Sequence, residues 1–188
     1  MERLAIDLSW KSSQIEGNTY SLLETEQLLK EKKTAAGKTK DEAIMLLNHK
    51  EAIDFIMEQP DYMYPLSTLK LEDLHSILIK ELAVSRNIRS NPVGNSGTNY
   101  VPLDNEYQIR EVLQDMCELV NNKENVFEKA ILTLLLISYI HPFVDGNKRT
   151  VNTSDYKKAI LLFYEINNLS AFKQLFIEQY EFAVNTYF

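Results

Sequence analysis

The sequence predicts an all-α fold, and two observations lead to that prediction. Only five glycines and five prolines occur among 188 residues, so the chain holds few of the residues that interrupt regular elements. Between them, apolar residues recur three or four positions apart, which is the spacing of a helix face, and do not alternate as in a half-buried strand. We therefore expect a helical bundle, formed as one domain over residues 1–188.

The first half of the chain begins with three predicted helices. The first runs from Leu4 to Ile15 and stops at Gly17, since glycine tolerates the left-handed conformation that ends many helices. Ser21 and Thr39 each lie three residues before a glutamate, the spacing of a capping box that begins a helix. The helix after Thr39 must end near Pro60, because proline lacks a backbone donor and clashes with the preceding turn.

A fourth helix, from Leu71 to Ala83, precedes a segment of another kind. Residues Val84 to Pro102 hold two prolines, two glycines and three serines, with almost no hydrophobic periodicity. This composition predicts a long loop or an irregular hairpin, and long ordered loops are more often functional than not.

The second half of the chain predicts four more helices. An apolar stripe marks the first of them at Ile109, Val112, Leu113, Met116, Leu119 and Val120. The next, Asn125 to Ile140, has no polar face of any width, which predicts a helix surrounded on all sides by others. It must stop near His141, because Pro142 pushes the residue before it out of the helical region. The last two run from Asn147 to Ile166 and from Ser170 to Tyr187.

Composition limits the partners and the compartment. The net charge of −7 argues against nucleic acid as the main partner, because such binding draws on a positive surface field. A single cysteine, Cys117, permits no intrachain disulfide and suits a reducing cytoplasm. The N-terminus lacks a secretory signal, and the longest apolar stretch, Ala130 to Ile140, is about half of the ~20 residues that cross a bilayer. We expect a cytoplasmic protein with no membrane and no nucleic-acid partner.

The densest run of reactive groups is His141-Pro142-Phe143-Val144-Asp145-Gly146-Asn147-Lys148-Arg149-Thr150. A tight turn that enters a helix offers backbone donors and the positive end of the helix dipole, which together bind anions. Gly146 lets the backbone approach a phosphate, and Lys148 and Arg149 add positive charge. For Lys148, an ordinary solvated position is an equal alternative.

Two further side chains extend this predicted phosphate site. Asp145 fits as an oxygen ligand for Mg²⁺, which usually binds one or two carboxylates plus substrate phosphates. His141 either caps a helix end or takes a proton from an attacking hydroxyl near neutral pH. A base, a metal ligand and a phosphate cradle in one turn indicate transfer of a nucleotide-derived group. His49 and His75, in contrast, are predicted to be surface or boundary residues of amphipathic helices.

The run from His141 to Arg149 resembles the Fic motif, His-Pro-Phe-x-Asp/Glu-Gly-Asn-Gly-Arg-x-x-Arg, which marks enzymes that transfer the AMP part of ATP onto a hydroxyl side chain of a target protein. A second run, Ser12-Ser13-Gln14-Ile15-Glu16-Gly17, resembles the Ser/Thr-x-x-x-Glu-Gly/Asn inhibitory helix at the N-terminus of one class of Fic proteins. The resemblance implies a Fic-type helical bundle with a short β-hairpin flap near the active site.

The resemblance implies a role for each matching residue of the turn. His141 is the general base, Asp145 holds Mg²⁺, Gly146 and Asn147 shape the phosphate-binding turn, and Arg149 binds the phosphates of ATP. Phe143, beside them, anchors the loop in the core. The partners so implied are MgATP and a protein target with a hydroxyl side chain. Beside this resemblance, self-modification and a homodimer are further expected interactions, and one of the ten tyrosines is a candidate for self-modification.

Two other segments receive roles from the same resemblance. Residues 1–18 form the inhibitory helix, in which Ser12 and Gly17 flank the acting residue, Glu16. Its carboxylate occupies donors in the phosphate pocket and repels the terminal phosphate. Tyr100 and Val101 fall where the family has its target-docking flap.

This chain departs from the Fic motif at two positions. Lys148 replaces a glycine and Asn152 replaces a second arginine, which in the family pairs with the inhibitory glutamate and the γ-phosphate. The Asn-Lys-Arg run also resembles Doc, a relative that transfers the γ-phosphate as a protein kinase. The alternatives to AMP transfer are therefore a Doc-like kinase, an enzyme that removes AMP from a modified protein, and a nucleotide-binding protein with weakened catalysis.

Overall fold

The computed structural model describes residues 2–15, 17–94, 98–147 and 153–187, and within these ranges the helix is the only regular element. The helices are α1 (Glu2–Ile15), α2 (Leu22–Glu31), α3 (Lys40–Glu58), α4 (Thr68–Leu78), α5 (Glu106–Asn121), α6 (Val126–Ile140), α7 (Thr153–Ile166) and α8 (Ser170–Tyr187). The all-α prediction is confirmed. No helix of the described ranges is long and apolar enough to span a membrane.

Helix ends lie close to the residues that predicted them. Ser21 and Thr39 both form complete capping boxes, at the starts of α2 and α3. Gly17 has a φ of +86°, and its N–H donates to the carbonyl of Gln14 (3.1 Å). The N–H of the next residue donates to the carbonyl of Ser13 (3.1 Å), which completes a Schellman motif at the end of α1.

Helix α4 is shorter than the sequence predicted and ends at Leu78, not near Ala83. The side-chain amide of Asn48, on α3, donates to the carbonyls of Leu78 (3.2 Å) and Lys80 (2.7 Å). Carbonyls at a helix end lack intrahelical partners, and a buried amide from a neighbouring helix satisfies them. Glu81 then adopts a φ of +60°, which ends the helical path.

The prediction that α6 is surrounded on all sides is correct for its second half and wrong for its first. Leu135 and Ile140 belong to hydrophobic clusters on different sides of the helix. At the start of the helix, in contrast, Val126 is 67% exposed and Phe127 is 45% exposed. The neighbouring α8 leaves an open groove of about 540 Å³ beside this end. An apolar pattern identifies a surface that favours burial, but not whether enough neighbours are present to cover it.

The segment between α4 and α5 is irregular, as its composition predicted. The expected β-hairpin is not formed by its described residues, 84–94 and 98–105, which contain no strand. Pro92 and Pro102 cannot donate to a strand ladder, which weakens any pairing here. Bonds to neighbouring elements hold the segment instead: the N–H of Arg89 donates to the carbonyl of Pro142 (3.0 Å), and Glu165 on α7 accepts from the N–H of Asn99 (2.9 Å).

Candidate active site

The predicted catalytic turn joins α6 to α7, and the structure describes it from His141 to Asn147. Lys148 and Arg149, predicted to bind phosphate, and Asn152 lie outside the described residues, as does Glu16. The described part of the turn lies on the core cluster that α4, α5 and the end of α6 share, to which Phe143 belongs.

His141 is the C-cap of α6 and has a left-handed backbone conformation (φ 52°, ψ 57°). Its side chain is largely buried, and its N–H donates to the carbonyl of Ile137 (3.0 Å). For a residue with a Cβ this conformation costs about 1–2 kcal/mol, so it persists only where surrounding contacts impose it. The candidate base therefore projects from a backbone that its neighbours must hold in place.

Arg89 supplies much of that constraint, although it comes from the segment between α4 and α5. Its Nε donates to the carbonyl of His141 (2.6 Å), and its Nη2 to the carbonyl of Ile140 (3.4 Å). The third guanidinium contact, from Nη1, goes to the carbonyl of Asn91 (2.9 Å). The side chain is only 2% exposed. Sequence reasoning did not identify Arg89, because a single arginine in an irregular segment carries no signature of its partners.

Asn147 closes the turn through two reciprocal hydrogen bonds with the backbone of Phe143. Its Oδ1 accepts from the N–H of Phe143 (2.9 Å), and its Nδ2 donates to the carbonyl of the same residue (2.7 Å). Both residues are buried. One side-chain amide therefore fixes the backbone between Phe143 and Asn147, and the predicted phosphate-shaping role of Asn147 stays a prediction.

His75, on α4, packs against the turn and supports it. Its ring stacks on Phe143, with a centroid separation of 3.7 Å and an interplanar angle of 6°, and its Nε2 donates to the carbonyl of Asp145 (3.1 Å). The carbonyl can only accept, so Nε2 carries the proton. The side chain is 2% exposed. The prediction of a surface or boundary position was wrong for His75, because its polar edge is satisfied by the turn and its ring packs in the core.

Asp145 and Gly146 form the tip of the turn. Gly146 has a φ of +82°, and its N–H donates to Oδ1 of Asp145 (2.6 Å). Asp145 is partly exposed, and no group of three or more His, Cys, Asp or Glu in the described residues is arranged to hold a metal. One carboxylate at the tip fits Mg²⁺, which prefers hard oxygen ligands and takes its remaining ligands from phosphates and water.

The two predicted flap residues differ in their surroundings. Val101 is 75% exposed. Tyr100 is half-buried, stacks on Tyr139 (centroids 4.4 Å apart) and donates its hydroxyl hydrogen to the carbonyl of that residue (2.8 Å). Burial, with a smaller contribution from Tyr139, raises the pKa of Tyr100 well above its usual value. Tyr100 therefore ties the segment to α6, whereas Val101 is open to a partner.

The N-terminal helix is joined to the bundle through its polar residues. Ser12 is buried, and its Oγ lies 3.5 Å from Nε2 of His49 on α3. Nδ1 of His49 is 2.9 Å from the carbonyl of Met45. The surface or boundary position expected for His49 was thus also wrong, because the residue is 4% exposed. Helix α1 also contacts α7, the helix that follows the predicted catalytic turn.

The segment after α1 is tied to the start of α3. Asn18 is buried and donates to the carbonyl of Glu42 (2.8 Å). The Glu42 carboxylate accepts from the hydroxyl (2.6 Å) and the N–H (2.8 Å) of Thr19. The hydroxyl of Thr19, followed by the N–H groups of Thr39 and Thr19, lowers the pKa of Glu42 from 4.5 to about 2. The residues on both sides of the predicted inhibitory position are therefore firmly held.

The sequence matches one family model, and the fold matches several solved structures. A model described as Fic/DOC family matches residues 65–154. No curated protein matches the sequence.

Among solved structures, a fragment of Fic-1 from C. elegans is similar, with a TM-score of 0.81 and 20% identity over 99% of this chain and 62% of that one. A Fic domain containing signaling protein from Bacteroides thetaiotaomicron has a TM-score of 0.75 and 17% identity, covering 96% and 82%. A Fic family protein from Desulfovibrio desulfuricans G20 has a TM-score of 0.68 and 18% identity, covering 96% and 54%. The chain spans less than two thirds of the first and third of these structures. At such identities the likeness shows the fold.

Proposed function

We propose, from the premise that residues 65–154 of this chain form a Fic/DOC-family domain, that the protein is a Fic-type transferase. It moves AMP from MgATP to a Ser, Thr or Tyr hydroxyl of a target protein. The observation that carries the proposal is the turn from His141 to Asn147. An imidazole, a carboxylate and a glycine at positive φ follow one another there on a backbone fixed by buried contacts.

The reaction assigns a task to each residue of the turn. His141 takes the proton of the target hydroxyl as its oxygen attacks the α-phosphorus, and the bond to the pyrophosphate leaving group breaks. Asp145 holds Mg²⁺, which neutralises phosphate charge when bound. Gly146 allows the phosphates to approach the backbone, and Lys148 and Arg149 provide positive charge for them. Tyr100 and Val101 belong to the segment that meets the target, and Val101 is the exposed member of the pair.

Autoinhibition is the second part of the proposal. Glu16, the residue that follows α1 in the sequence, competes with the γ-phosphate for the positive charges of the site. Support comes from the way α1 is held: Ser12 packs it on α3, and the helix contacts α7. A carboxylate near the phosphate site both occupies donors and repels the ligand. Replacing Glu16 therefore increases turnover.

A Doc-like kinase is the second candidate, and Lys148 in the Asn-Lys-Arg run favours it. Transfer of the γ-phosphate uses the same base but places ATP in the opposite direction.

Removal of AMP from a modified protein uses Glu16 to orient the attacking water, so that loss of Glu16 abolishes release. A further alternative is a protein that binds nucleotide without turnover. Asn152 and Lys148 favour it, because both depart from the Fic motif.

The position of the transferred label separates AMP transfer from transfer of the γ-phosphate. Glu16→Gly is incubated with Mg²⁺ and ATP labelled at the α or the γ phosphate, with cell extract as a source of targets. AMP transfer predicts α label on protein, including the enzyme itself, and its loss in Glu16→Gly/His141→Ala. Glu31→Gly, at the exposed end of α2, is the matched control and leaves transfer at the wild-type level. Transfer of γ label alone contradicts the proposal and favours the kinase.

A further inference from the structure

We infer that Arg89 is a positioning residue for His141, and that its guanidinium fixes the backbone from which the imidazole is presented. This inference rests on the proposed function, in which His141 takes the proton. Arg89 and His141 are 52 residues apart, and their contact joins the irregular segment between α4 and α5 to the catalytic turn. Arg89 belongs to neither of the two motifs.

The shape of the guanidinium matches the end of α6. A helix end leaves its last carbonyls without intrahelical partners, and Nε and Nη2 of Arg89 donate to two consecutive ones, those of His141 (2.6 Å) and Ile140 (3.4 Å). The N–H of Arg89 donates to the carbonyl of Pro142 (3.0 Å), which is the next residue. Arg89 therefore contacts three successive residues across the point where the chain turns.

The charge of Arg89 also suits this position. The C-terminal end of a helix carries partial negative charge, and a cation there is stabilised. Burial lowers the pKa of Arg89 below its usual value, and the nearby Tyr100 and Asp104 oppose that shift. A guanidinium nevertheless stays protonated in proteins, so the hydrogen bonds remain charge-assisted at working pH.

These contacts hold His141 in a backbone conformation that the residue does not favour by itself. A residue with a Cβ disfavours the left-handed region, and a residue before proline favours an extended conformation. His141 is in the left-handed region at φ 52° and ψ 57°. Without the bond to its carbonyl, the peptide after His141 loses a contact that orients it, and a rotation of that peptide displaces the imidazole. A displacement of about 1 Å at a reacting group can cost about a hundredfold in rate.

Lysine is the informative replacement. It keeps the positive charge but offers a compact ammonium instead of a planar fork, so it cannot contact both carbonyls in the same directions. In the Glu16→Gly background, Arg89→Lys is expected to lower kcat about 10- to 100-fold while the KM for ATP changes less than about twofold. Arg110→Lys is the control, because Arg110 lies on the surface of α5 in an ion pair with Glu72 (3.3 Å). It is expected to leave kcat unchanged.

A second readout reports on the backbone itself. The chain has three histidines, so ¹³C-histidine labelling gives three Cα resonances, whose chemical shifts depend on φ and ψ. The His141 resonance, assigned by its absence in His141→Gln, is expected to move away from the left-handed shift in Arg89→Lys. The resonance of His49, on α3, is expected to stay in place.

The outcomes separate the inference from the proposed function. If Glu16→Gly transfers no label, the proposed function fails, while the His141 resonance still tests Arg89. An unchanged His141 resonance in a folded Arg89→Lys variant overturns the inference, as does an unchanged kcat in an active enzyme. Loss of the folded state in Arg89→Lys, measured by circular dichroism, overturns it as well, because Arg89 then serves the fold and not the base.

Discussion

Asn147 offers a sharp test of how the turn from His141 to Asn147 is held. Its amide exchanges two hydrogen bonds with the backbone of Phe143, at 2.9 and 2.7 Å, and both residues are buried. In Asn147→Ala the N–H and the carbonyl of Phe143 lose these partners. Each buried group without a partner costs about 1–3 kcal/mol, so the loss of partners for these two groups is expected to lower the free energy of unfolding by about 2–6 kcal/mol.

Urea unfolding followed by circular dichroism measures this loss. For a slope of about 2 kcal/mol per molar urea, the expected loss corresponds to a fall of about 1–3 M in the midpoint. Asn168→Ala is the matched control, since Asn168 accepts one exposed hydrogen bond from the N–H of Ser170 (2.8 Å). It is expected to cost less than about 1 kcal/mol.

The comparison of the two variants decides the matter. If Asn147→Ala loses no more stability than Asn168→Ala, the amide does not hold the turn. Other contacts then determine the shape of the turn, and Asn147 does not.

Three other predictions concern pH and support of the turn. The folded state lowers the pKa of Glu42 to about 2, mainly through the hydroxyl of Thr19, so its stabilisation is complete above pH 4.5 and is lost as the pH falls toward 2. The stability of Glu42→Gln is therefore expected to be below that of wild type at pH 7 and to approach it in acid. Burial, and then Asp7, raise the pKa of Tyr187 from 10.0 to about 12, so its stabilisation is present below pH 10 and is lost as the pH rises toward 12. Between pH 10 and pH 12, the free energy of unfolding of Tyr187→Phe is expected to fall less than that of the wild type. An equal fall in the two proteins contradicts this. His75→Phe keeps an aromatic ring beside the turn but removes the donor to the Asp145 carbonyl, so it is expected to cost about 1 kcal/mol and to raise the Mg²⁺ concentration for half-maximal transfer. If the Mg²⁺ concentration for half-maximal transfer is unchanged, the bond from His75 does not help Asp145 to hold the metal.

Features of the fold that depend on local chemistry could be predicted from the sequence. The capping boxes at Ser21 and Thr39 and the glycine at the end of α1 lie within a few residues of the bonds they form. The end of α4 could not, because it is set by Asn48 on another helix, 30 residues from Leu78. The exposure of the first half of α6 depends on which neighbours cover it, and a periodic pattern does not contain that information.

The candidate site likewise has residues that could be predicted from the sequence and residues that could not. The residues from His141 to Asn147 are contiguous, so their chemistry could be identified from the sequence, and the structure brings them together in one turn. The residues that support the turn are remote: Arg89 is 52 residues from His141, and His75 is 70 residues from Asp145. Both were missed because a buried polar side chain is recognised by its tertiary partners, which a single sequence does not show.

The mass of the product shows whether the turn from His141 to Asn147 supports the proposed AMP transfer. Glu16→Gly is incubated with unlabelled MgATP, and the intact mass of the protein is measured, with Glu16→Gly/His141→Ala as the control. We expect Glu16→Gly to gain the mass of one or more AMP groups and the double variant to gain none. A gain equal to phosphate contradicts AMP transfer, and an equal AMP gain in the double variant contradicts the role of His141 as the base.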